Sequence, residues 1–103
     1  MTPRIRRVHP AVSEDIVEAL DYYEAQDPAL REHFVDAYVK ALTTIQERPF
    51  LGREYAPGFR RLIVRPFPYL LAHAAHDEGV FVAALLHARR DPVVNEGILR
   101  SRS

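Results

Sequence analysis

The residues of this chain best suited to chemistry are arginines and a histidine that follow one another between residues 59 and 92. Thirteen of the fourteen basic residues are arginine, and a guanidinium group binds carboxylate or phosphate through a planar pair of hydrogen bonds. His87 ends an apolar run two residues before Arg89 and Arg90 begin, and histidine can transfer protons near neutral pH. This combination is compatible with an anion-binding surface or with acid-base catalysis beside cations.

Three histidines lie on segments that we predict to be strands. Strand alternation places His73 on one face with Tyr69 and Leu71, so we expect a partly buried ring packed beneath helices. His76 adjoins a turn and is expected at the surface. For His87, a ring bonded to a neighbouring backbone group is the common arrangement at a strand end, and proton transfer is the alternative.

Other catalytic patterns are absent from the sequence. The chain has no cysteine, which excludes disulfides, thiolate nucleophiles and cysteine-based zinc sites. It contains neither a glycine-rich phosphate loop nor a G-x-S-x-G motif. His9 and His33 lack partners at metal-ligand spacing, so we predict no metal and no cofactor. A row of acidic residues follows the outer face of the first predicted helix, where we expect solvation: Glu14, Asp15, Glu18, Asp21 and Glu24.

The strands that must position the arginines and histidines run from Phe59 to Pro92. Three apolar runs, FRRLIVR, PYLLAHAAH and VFVAALLHARRDP, predict two or three adjoining strands. The breaks between them are Pro66-Phe67-Pro68 and Asp77-Glu78-Gly79, both typical of turns. Upstream, residues 50–58 contain two glycines and a proline and predict the one substantial loop.

Two helices precede these strands. The first is predicted from about Ala11 or Ser13 to Ala25, because apolar residues recur there at helical spacing. Asp27 and Pro28 then mark a new start, with aspartate as the N-cap and proline in the first helical position. The second helix is predicted from Pro28 to about Glu47.

The second helix has a wider apolar surface than one sheet requires. Its apolar arc reaches roughly 200°, whereas a helix that covers one sheet needs only a little over 100°. Val35 and Val39 extend the arc sideways, next to Tyr38. The first helix alone is sufficient to cover this surface, and a partner chain is the alternative.

The element order, strand, helix, helix and three strands, predicts an α+β fold with a helical hairpin on a mainly antiparallel sheet. The first strand spans about residues 4–9, and the long connection after it allows pairing with a non-sequential neighbour. Residues 93–99 are spaced for a possible short C-terminal helix, although Gly97 interrupts it and residues 100–103 are expected to fray. At 103 residues, we expect a single domain over residues 1–103.

Charge is segregated along the chain although the formal net charge is zero. Residues 11–48 carry nine acids and three bases, a net of minus six, while residues 49–103 carry eight arginines and five acids, a net of plus three. This distribution predicts one acidic and one basic side. No apolar run is long enough to cross a membrane and no signal peptide is visible, so we expect a cytoplasmic protein without membrane contact.

The order of these elements resembles the RelE/ParE superfamily of bacterial type II toxins over roughly residues 8–92. The residues that carry the resemblance occur in this order: the acidic first helix with Tyr22-Tyr23, the segment from Ala37 to Ile45 with Pro49 and Gly52, Arg60-Arg61, Phe67-Pro68-Tyr69, and LLHARRDP. The resemblance implies a small toxin that a cognate antitoxin neutralises in a hetero-oligomeric complex. In that case Val35, Tyr38 and Val39 are candidate antitoxin contacts.

The superfamily contains two functions, and the resemblance is closer to the ParE branch. RelE-like toxins cut messenger RNA on the ribosome, whereas ParE-like toxins inhibit DNA gyrase by binding. In the RelE pattern, Arg61 and Arg90 match two of the cationic positions. The arginine expected after the strand-opening aromatic is replaced by Leu70, and no tyrosine follows Tyr69, so two catalytic positions are empty.

Three hypotheses follow from the resemblance. The first is a gyrase inhibitor without catalysis that contacts its target through Arg60, Arg61, Arg65, Arg89 and Arg90. The second is a ribosome-dependent endoribonuclease with a rearranged site of Arg61, His87 and Arg90. The third is a degenerate member of the superfamily that binds an antitoxin and is not toxic.

Overall fold

In the computed structural model, which describes residues 4–103, a five-stranded sheet has a helical hairpin on one face and a single helix on the other. The elements are β1 Ile5–Val8, α1 Val12–Gln26, α2 Pro28–Glu47, β2 Arg53–Ala56, β3 Phe59–Ile63, β4 Tyr69–His76, β5 Gly79–His87 and α3 Pro92–Arg102. The strand order is β1-β5-β4-β3-β2, with β1 parallel to β5 and every other pair antiparallel. The predicted α+β class and the mainly antiparallel sheet are confirmed. No helix within residues 4–103 is long and apolar enough to cross a membrane.

The helical hairpin forms where the sequence predicts it. The side chain of Asp27 accepts a hydrogen bond from the Ala29 backbone N–H at 3.0 Å, and Pro28 occupies the first turn of α2. The bounds of α2 agree with the prediction, and α1 ends one residue later than predicted. Both helices bury their apolar faces against Leu71 and Val82 of the central strands.

An aromatic cluster fastens the hairpin to one end of the sheet. Tyr23 of α1 and Phe34 of α2 stack with their centroids 5.6 Å apart. Phe67, in the β3–β4 turn, packs edge-on against both rings, at 4.8 Å from Tyr23 and 5.0 Å from Phe34. Tyr69, at the start of β4, lies 5.4 Å from Phe34. Offset and edge-on pairs of this kind contribute about 1 kcal/mol each beyond their buried area.

The predicted loop over residues 50–58 contains an edge strand, β2, which the sequence prediction missed. Its sequence, REYA, is short and polar because it lies at the sheet edge and needs only one apolar side chain, Ala56, which is buried. The chain enters β2 through Gly52, where a Cβ atom would lie 2.2 Å from the backbone oxygen of Arg61. Only glycine permits this approach. Pro57 and Gly58, with φ of 82° at Gly58, then form the turn into β3.

The predicted C-terminal helix is present and extends further than predicted, and the last strand ends where it was predicted to end. The last strand ends at His87, and α3 begins after Asp91, whose side chain accepts a hydrogen bond from the Val93 backbone N–H at 2.9 Å. This is the same Asp-Pro start that precedes α2. The expectation that residues 100–103 fray is wrong, because α3 continues through Gly97 to Arg102. The helix is held on the sheet by Leu99, which is buried against Ala84 and Leu86.

The side chain of Arg102 is tied to Asp15, which contradicts the expected solvation of this acid. The guanidinium donates to both carboxylate oxygens, at 2.6 Å and 3.1 Å. The two side chains are only 14% and 16% exposed. Asp15 therefore does not belong to the solvated row, whereas Glu14, Glu18, Asp21 and Glu24 are exposed as predicted.

This ion pair closes an edge of β5. Strand β1 pairs with the edge of β5 as far as the hydrogen bond from the His9 N–H to the Val82 carbonyl, at 2.8 Å. Beyond that point, the Leu85 N–H donates to Asp15 at 3.1 Å and the Ala83 carbonyl accepts from Arg102 at 3.2 Å. Side chains from α1 and α3 thus satisfy backbone groups that a neighbouring strand would otherwise pair.

We predict that Arg102→Ala lowers the free energy of unfolding by about 3 kcal/mol, because it leaves a partly buried carboxylate and a strand carbonyl without their partner. Arg100→Ala is the matched control, since Arg100 lies on the same helix but is exposed and reaches Glu96 only at 4.0 Å. Urea denaturation of both variants measures the difference. Equal losses in the two variants would show that the Asp15–Arg102 pair has no special role.

Candidate functional site

A cleft lies between α1 and the C-terminal end of β5. Its volume is about 470 Å³, within the range of about 300–1,000 Å³ typical of small-molecule sites. The lining residues come from four segments of the chain: Asp15, Glu18, Tyr22, Tyr69, Leu85, His87, Arg89 and Arg90. Two carboxylates, two guanidinium groups, two phenols and an imidazole therefore face one opening.

Local structure accounts for this convergence. Asp15, Glu18 and Tyr22 are spaced by three and four residues, so they share one face of α1. Strand β5 supplies Leu85 and His87 from the face that packs against the hairpin. The segment between β5 and α3 then turns sharply, with the Arg90 N–H bonded to the His87 carbonyl at 3.1 Å.

His87 is bonded to the backbone, as predicted for a strand end. The Arg89 N–H donates to the Nδ1 atom of His87 at 3.0 Å, so in the neutral ring the proton is on Nε2. The ring packs edge-on against Tyr69 with centroids 5.0 Å apart. Burial lowers the pKa of His87, and the positive charges of Arg90 and Arg89 lower it further. His87 is therefore neutral at pH 7 and its outward nitrogen is a hydrogen-bond donor.

Asn95 is a buried polar residue that sequence reasoning missed. It is fully buried, and its amide nitrogen donates to the Tyr55 hydroxyl at 3.2 Å and to the His87 carbonyl at 3.1 Å. Its amide oxygen accepts from Arg90 at 3.4 Å. The network joins α3, β2 and the end of β5, and it orients Arg90. One sequence signal could have identified it: Asn95 stands four positions before Leu99, so the two residues share the inner face of the predicted C-terminal helix.

The other predicted arginines do not converge on the cleft. Arg60 lies on the hairpin face, where its guanidinium donates to the carbonyls of Phe50 and Gly52 at 3.3 Å and 2.8 Å. Arg61 is paired with Ala72 across the strands, so its side chain projects to the α3 face. The predicted group of Arg61, His87 and Arg90 is thus divided between two faces of the sheet.

Arg65 belongs to the same end of the sheet as the cleft. It is exposed in the turn between β3 and β4. That turn is bonded to the end of β5, where the Ala88 N–H donates to the Pro68 carbonyl at 2.8 Å. Arg65, Arg89 and Arg90 therefore form a cationic end of the sheet, named here the arginine end.

His73 lies beneath the hairpin, as predicted, but it is fully and not partly buried, with 1% of its surface exposed. Its Nδ1 atom lies 3.1 Å from the Leu71 carbonyl and its Nε2 atom 3.3 Å from the Pro49 carbonyl. Burial lowers the pKa of His73, although the two carbonyls partly offset that effect. The ring fastens the segment after α2 to the central strand. His76 is exposed at the β4–β5 turn, also as predicted.

The apolar margin of α2 remains uncovered. Val35 and Val39, one helical turn apart, are 41% and 52% exposed. Tyr38 between them is half-buried and packs against the hairpin core. The first helix does not cover these two valines. Cover by a partner chain, the alternative given by the sequence, is therefore compatible with the observed fold.

Metal coordination has no candidate in the described part of the chain. Within residues 4–103, no group of three histidine, aspartate or glutamate side chains converges at metal-binding distance. The carboxylates of the cleft, Asp15 and Glu18, face it without a histidine ligand of suitable geometry, because His87 directs a donor N–H outward.

The chain is similar over nearly its whole length to bacterial toxins. The family described as ParE toxin of type II toxin-antitoxin system, parDE, matches residues 6–92. Toxin ParE2 of Mycobacterium tuberculosis, in strains H37Rv and CDC 1551, is 31% identical over 106 residues, which cover 100% of this chain and 98% of the relative. A chain from the chromosomal ParDE TA system of P. aeruginosa has a TM-score of 0.72 at 14% identity, over 85% of this chain and 98% of that chain.

The lowered pKa values of His73 and His87 predict that the stability of the fold depends on pH. Burial lowers the pKa of both His73 and His87 in the folded chain, so the unfolded chain binds more protons. Stability is then complete above the unfolded pKa of about 6.5 and falls as the pH drops toward the lower folded values. We expect a lower urea midpoint at about pH 5.5 than at about pH 7.5.

His73→Gln tests the source of this dependence, because glutamine does not titrate and can still donate to one carbonyl. We expect the variant to lose stability at neutral pH and to show a smaller change in midpoint between the two pH values. His76→Gln, an exposed position on the same strand, is the control. An unchanged pH slope in His73→Gln would exclude the buried ring as a cause.

Proposed function

This chain belongs to the ParE toxin family of type II toxin-antitoxin systems, as its sequence predicts, and we propose that it inhibits DNA gyrase by binding. We further propose that a cognate antitoxin neutralises it in a hetero-oligomeric complex in the cytoplasm. The observation that carries the choice of binding over catalysis is the state of His87, whose Nδ1 atom already accepts the Arg89 N–H.

The local chemistry supports a toxin without ribonuclease activity. Cleavage of RNA requires a base that accepts the proton of the 2′-hydroxyl group and a cation that stabilises the phosphate. Neutral His87 offers a donor to the cleft in place of a lone pair, and its lowered pKa disfavours the protonated form that an acid requires. Arg61, the other predicted phosphate ligand, projects to the opposite face of the sheet.

The arginine end is the surface that we propose for the target. Arg65 and Arg89 are exposed and Arg90 is half-buried, and no ion pair within residues 4–103 neutralises any of them. The Asn95 network holds Arg90 in place. Arg60 and Arg61 are less suited to this role, because Arg60 is bonded to the segment after α2 and Arg61 lies on the other face.

The uncovered margin of α2 is the surface that we propose for the antitoxin. Val35 and Val39 expose apolar surface on a helix that otherwise carries polar residues outward. A segment that folds on binding can cover such a ridge with few residues, since an amphipathic partner buries its own apolar face there. The structural neighbour comes from a ParDE system, which is consistent with a partner of this kind.

Two assays in parallel test the target. The purified chain, freed from antitoxin, is added to a gyrase supercoiling reaction and to ribosomes that carry a defined mRNA. We expect inhibition of supercoiling or accumulation of a cleaved gyrase complex, and intact mRNA. Codon-positioned mRNA cuts that disappear in His87→Ala would contradict the proposal and assign the ribonuclease activity. If the chain is inactive in both assays but still binds the antitoxin in a separate measurement, it is a degenerate member of the family.

We predict that Arg89→Ala combined with Arg90→Ala reduces gyrase inhibition at least about tenfold, because two desolvated cationic contacts are lost. Antitoxin affinity should change by no more than a few-fold, since α2 is untouched. Arg53→Ala, an exposed arginine on β2 at the far edge of the sheet, is the control and should retain inhibition. Full inhibition by the double variant would remove the arginine end from the target interface.

We predict that Val35→Asp or Val39→Asp weakens the antitoxin complex at least about tenfold, because each places a charge where apolar surface is buried. Isothermal titration calorimetry measures the affinity, and circular dichroism checks the fold. Val93→Asp is the matched control, because Val93 is 73% exposed on α3 at the opposite face. Equal affinities for all three variants would exclude the α2 margin as the binding surface.

A further inference from the structure

The cleft between α1 and β5 has two walls of opposite charge. One wall carries Arg89, Arg90 and the Nε2–H of His87, all hydrogen-bond donors. The other wall carries Asp15 and Glu18. A single charged group would be attracted to one wall and repelled by the other, so the cleft is suited to a ligand with an anionic end and a donor end.

Only one of the two carboxylates is available to such a ligand. Both oxygens of Asp15 are occupied by Arg102, and one of them also accepts the Leu85 N–H. Glu18 is exposed and has no ion pair within the part of the chain that the structure describes. Glu18 is therefore the acceptor that a ligand would meet.

The floor of the cleft is aromatic. Tyr69 lines the cleft and is buried. Burial is the main cause that raises the pKa of its hydroxyl, Tyr23 and Glu18 raise it further, and Arg90 lowers it. Tyr22 stands at the rim, one helical turn after Glu18, with 59% of its surface exposed. It packs edge-on against Tyr23 at 5.1 Å, which leaves ring surface open to a planar ligand.

We propose that this cleft binds a nucleotide unit through three contacts. The phosphate group binds Arg89 and Arg90, the base stacks on Tyr22, and an exocyclic amine of the base donates to Glu18. Guanidinium groups bind phosphate through paired hydrogen bonds. An aromatic ring can stack on any of the bases, because each base has a π-face. The nucleotide is free in solution or is part of a single strand. The binding is independent of the gyrase proposal, since it requires no second protein.

Nuclear magnetic resonance titration of the antitoxin-free chain tests the site. Adenosine monophosphate should shift the amide signals of residues 18–22 and 87–90. Purine riboside monophosphate, which has neither the exocyclic amine nor an N1–H donor, should bind about tenfold more weakly, because the charge-assisted hydrogen bond to Glu18 is lost. A single-stranded oligodeoxyadenylate distinguishes the two sources, since tighter binding than the mononucleotide indicates a strand and equal binding indicates a free nucleotide.

Variants assign each contact. Tyr22→Ala should weaken adenosine monophosphate about tenfold through lost stacking, and Arg89→Gln should do the same through lost phosphate contacts. Glu18→Gln should remove the preference for adenosine monophosphate over purine riboside monophosphate. Arg53→Gln, at the far edge of the sheet, should bind normally. Circular dichroism of each variant confirms that it is folded.

Three results would overturn the proposal. The first is the absence of shifts at residues 18–22 and 87–90. The second is inorganic phosphate binding as tightly as adenosine monophosphate with no effect of Tyr22→Ala, which indicates an anion site alone. The third is equal weakening by Arg53→Gln and Arg89→Gln, which indicates non-specific attraction. Gyrase inhibition without nucleotide binding contradicts only this inference, and nucleotide binding without gyrase inhibition contradicts only the proposed function.

Discussion

The open edge of β5 is the constraint on which the arrangement of the other elements depends. Strand β1 does not continue along β5, because the chain turns after His9, whose carbonyl accepts the Val12 N–H at 3.0 Å at the start of α1. Asp15 and Arg102 replace the missing strand by bonding the Leu85 N–H and the Ala83 carbonyl. The start of α1 and the end of α3 are therefore both held at β5. An unpaired edge is also a template for association, so this closure limits unspecific pairing.

A β-bulge in β5 determines which face His87 occupies. Val82 is paired with His73 and Ala84 with Ala72, so Ala83 is the extra residue. The insertion reverses the alternation, so that Leu85 and His87 join the hairpin face that Val82 also occupies. Without it, His87 would project toward α3. The bulge and the edge closure together place the histidine and the arginine end beside α1, where Glu18 and Tyr22 complete the cleft.

Local signals predicted most of the fold. The Asp27-Pro28 cap located α2 to the residue, and strand alternation placed His73 beneath the helices. Strand β2 was missed because an edge strand of four residues lacks the apolar alternation of buried strands. The role of Asp15 was missed because its partner, Arg102, is distant in sequence, and no periodicity reports a contact of that kind. Candidate arginines were recognised by type, but the face that each occupies depended on pairing and on the bulge.

The geometry of β5 also favours the proposal that this toxin acts by binding over one that it acts by catalysis. Recovery of ribonuclease chemistry would require a free lone pair on His87, and hence loss of the Arg89 N–H contact that shapes the turn into α3. It would also require Arg89, which lines the cleft, to take the phosphate-binding role predicted for Arg61, because Arg61 lies on the other face of the sheet. The absence of one preorganised donor costs about a hundred- to a thousand-fold in rate. Binding needs neither change, since Arg89 is exposed and Arg90 half-buried beside the His87 ring, which already presents its Nε2–H.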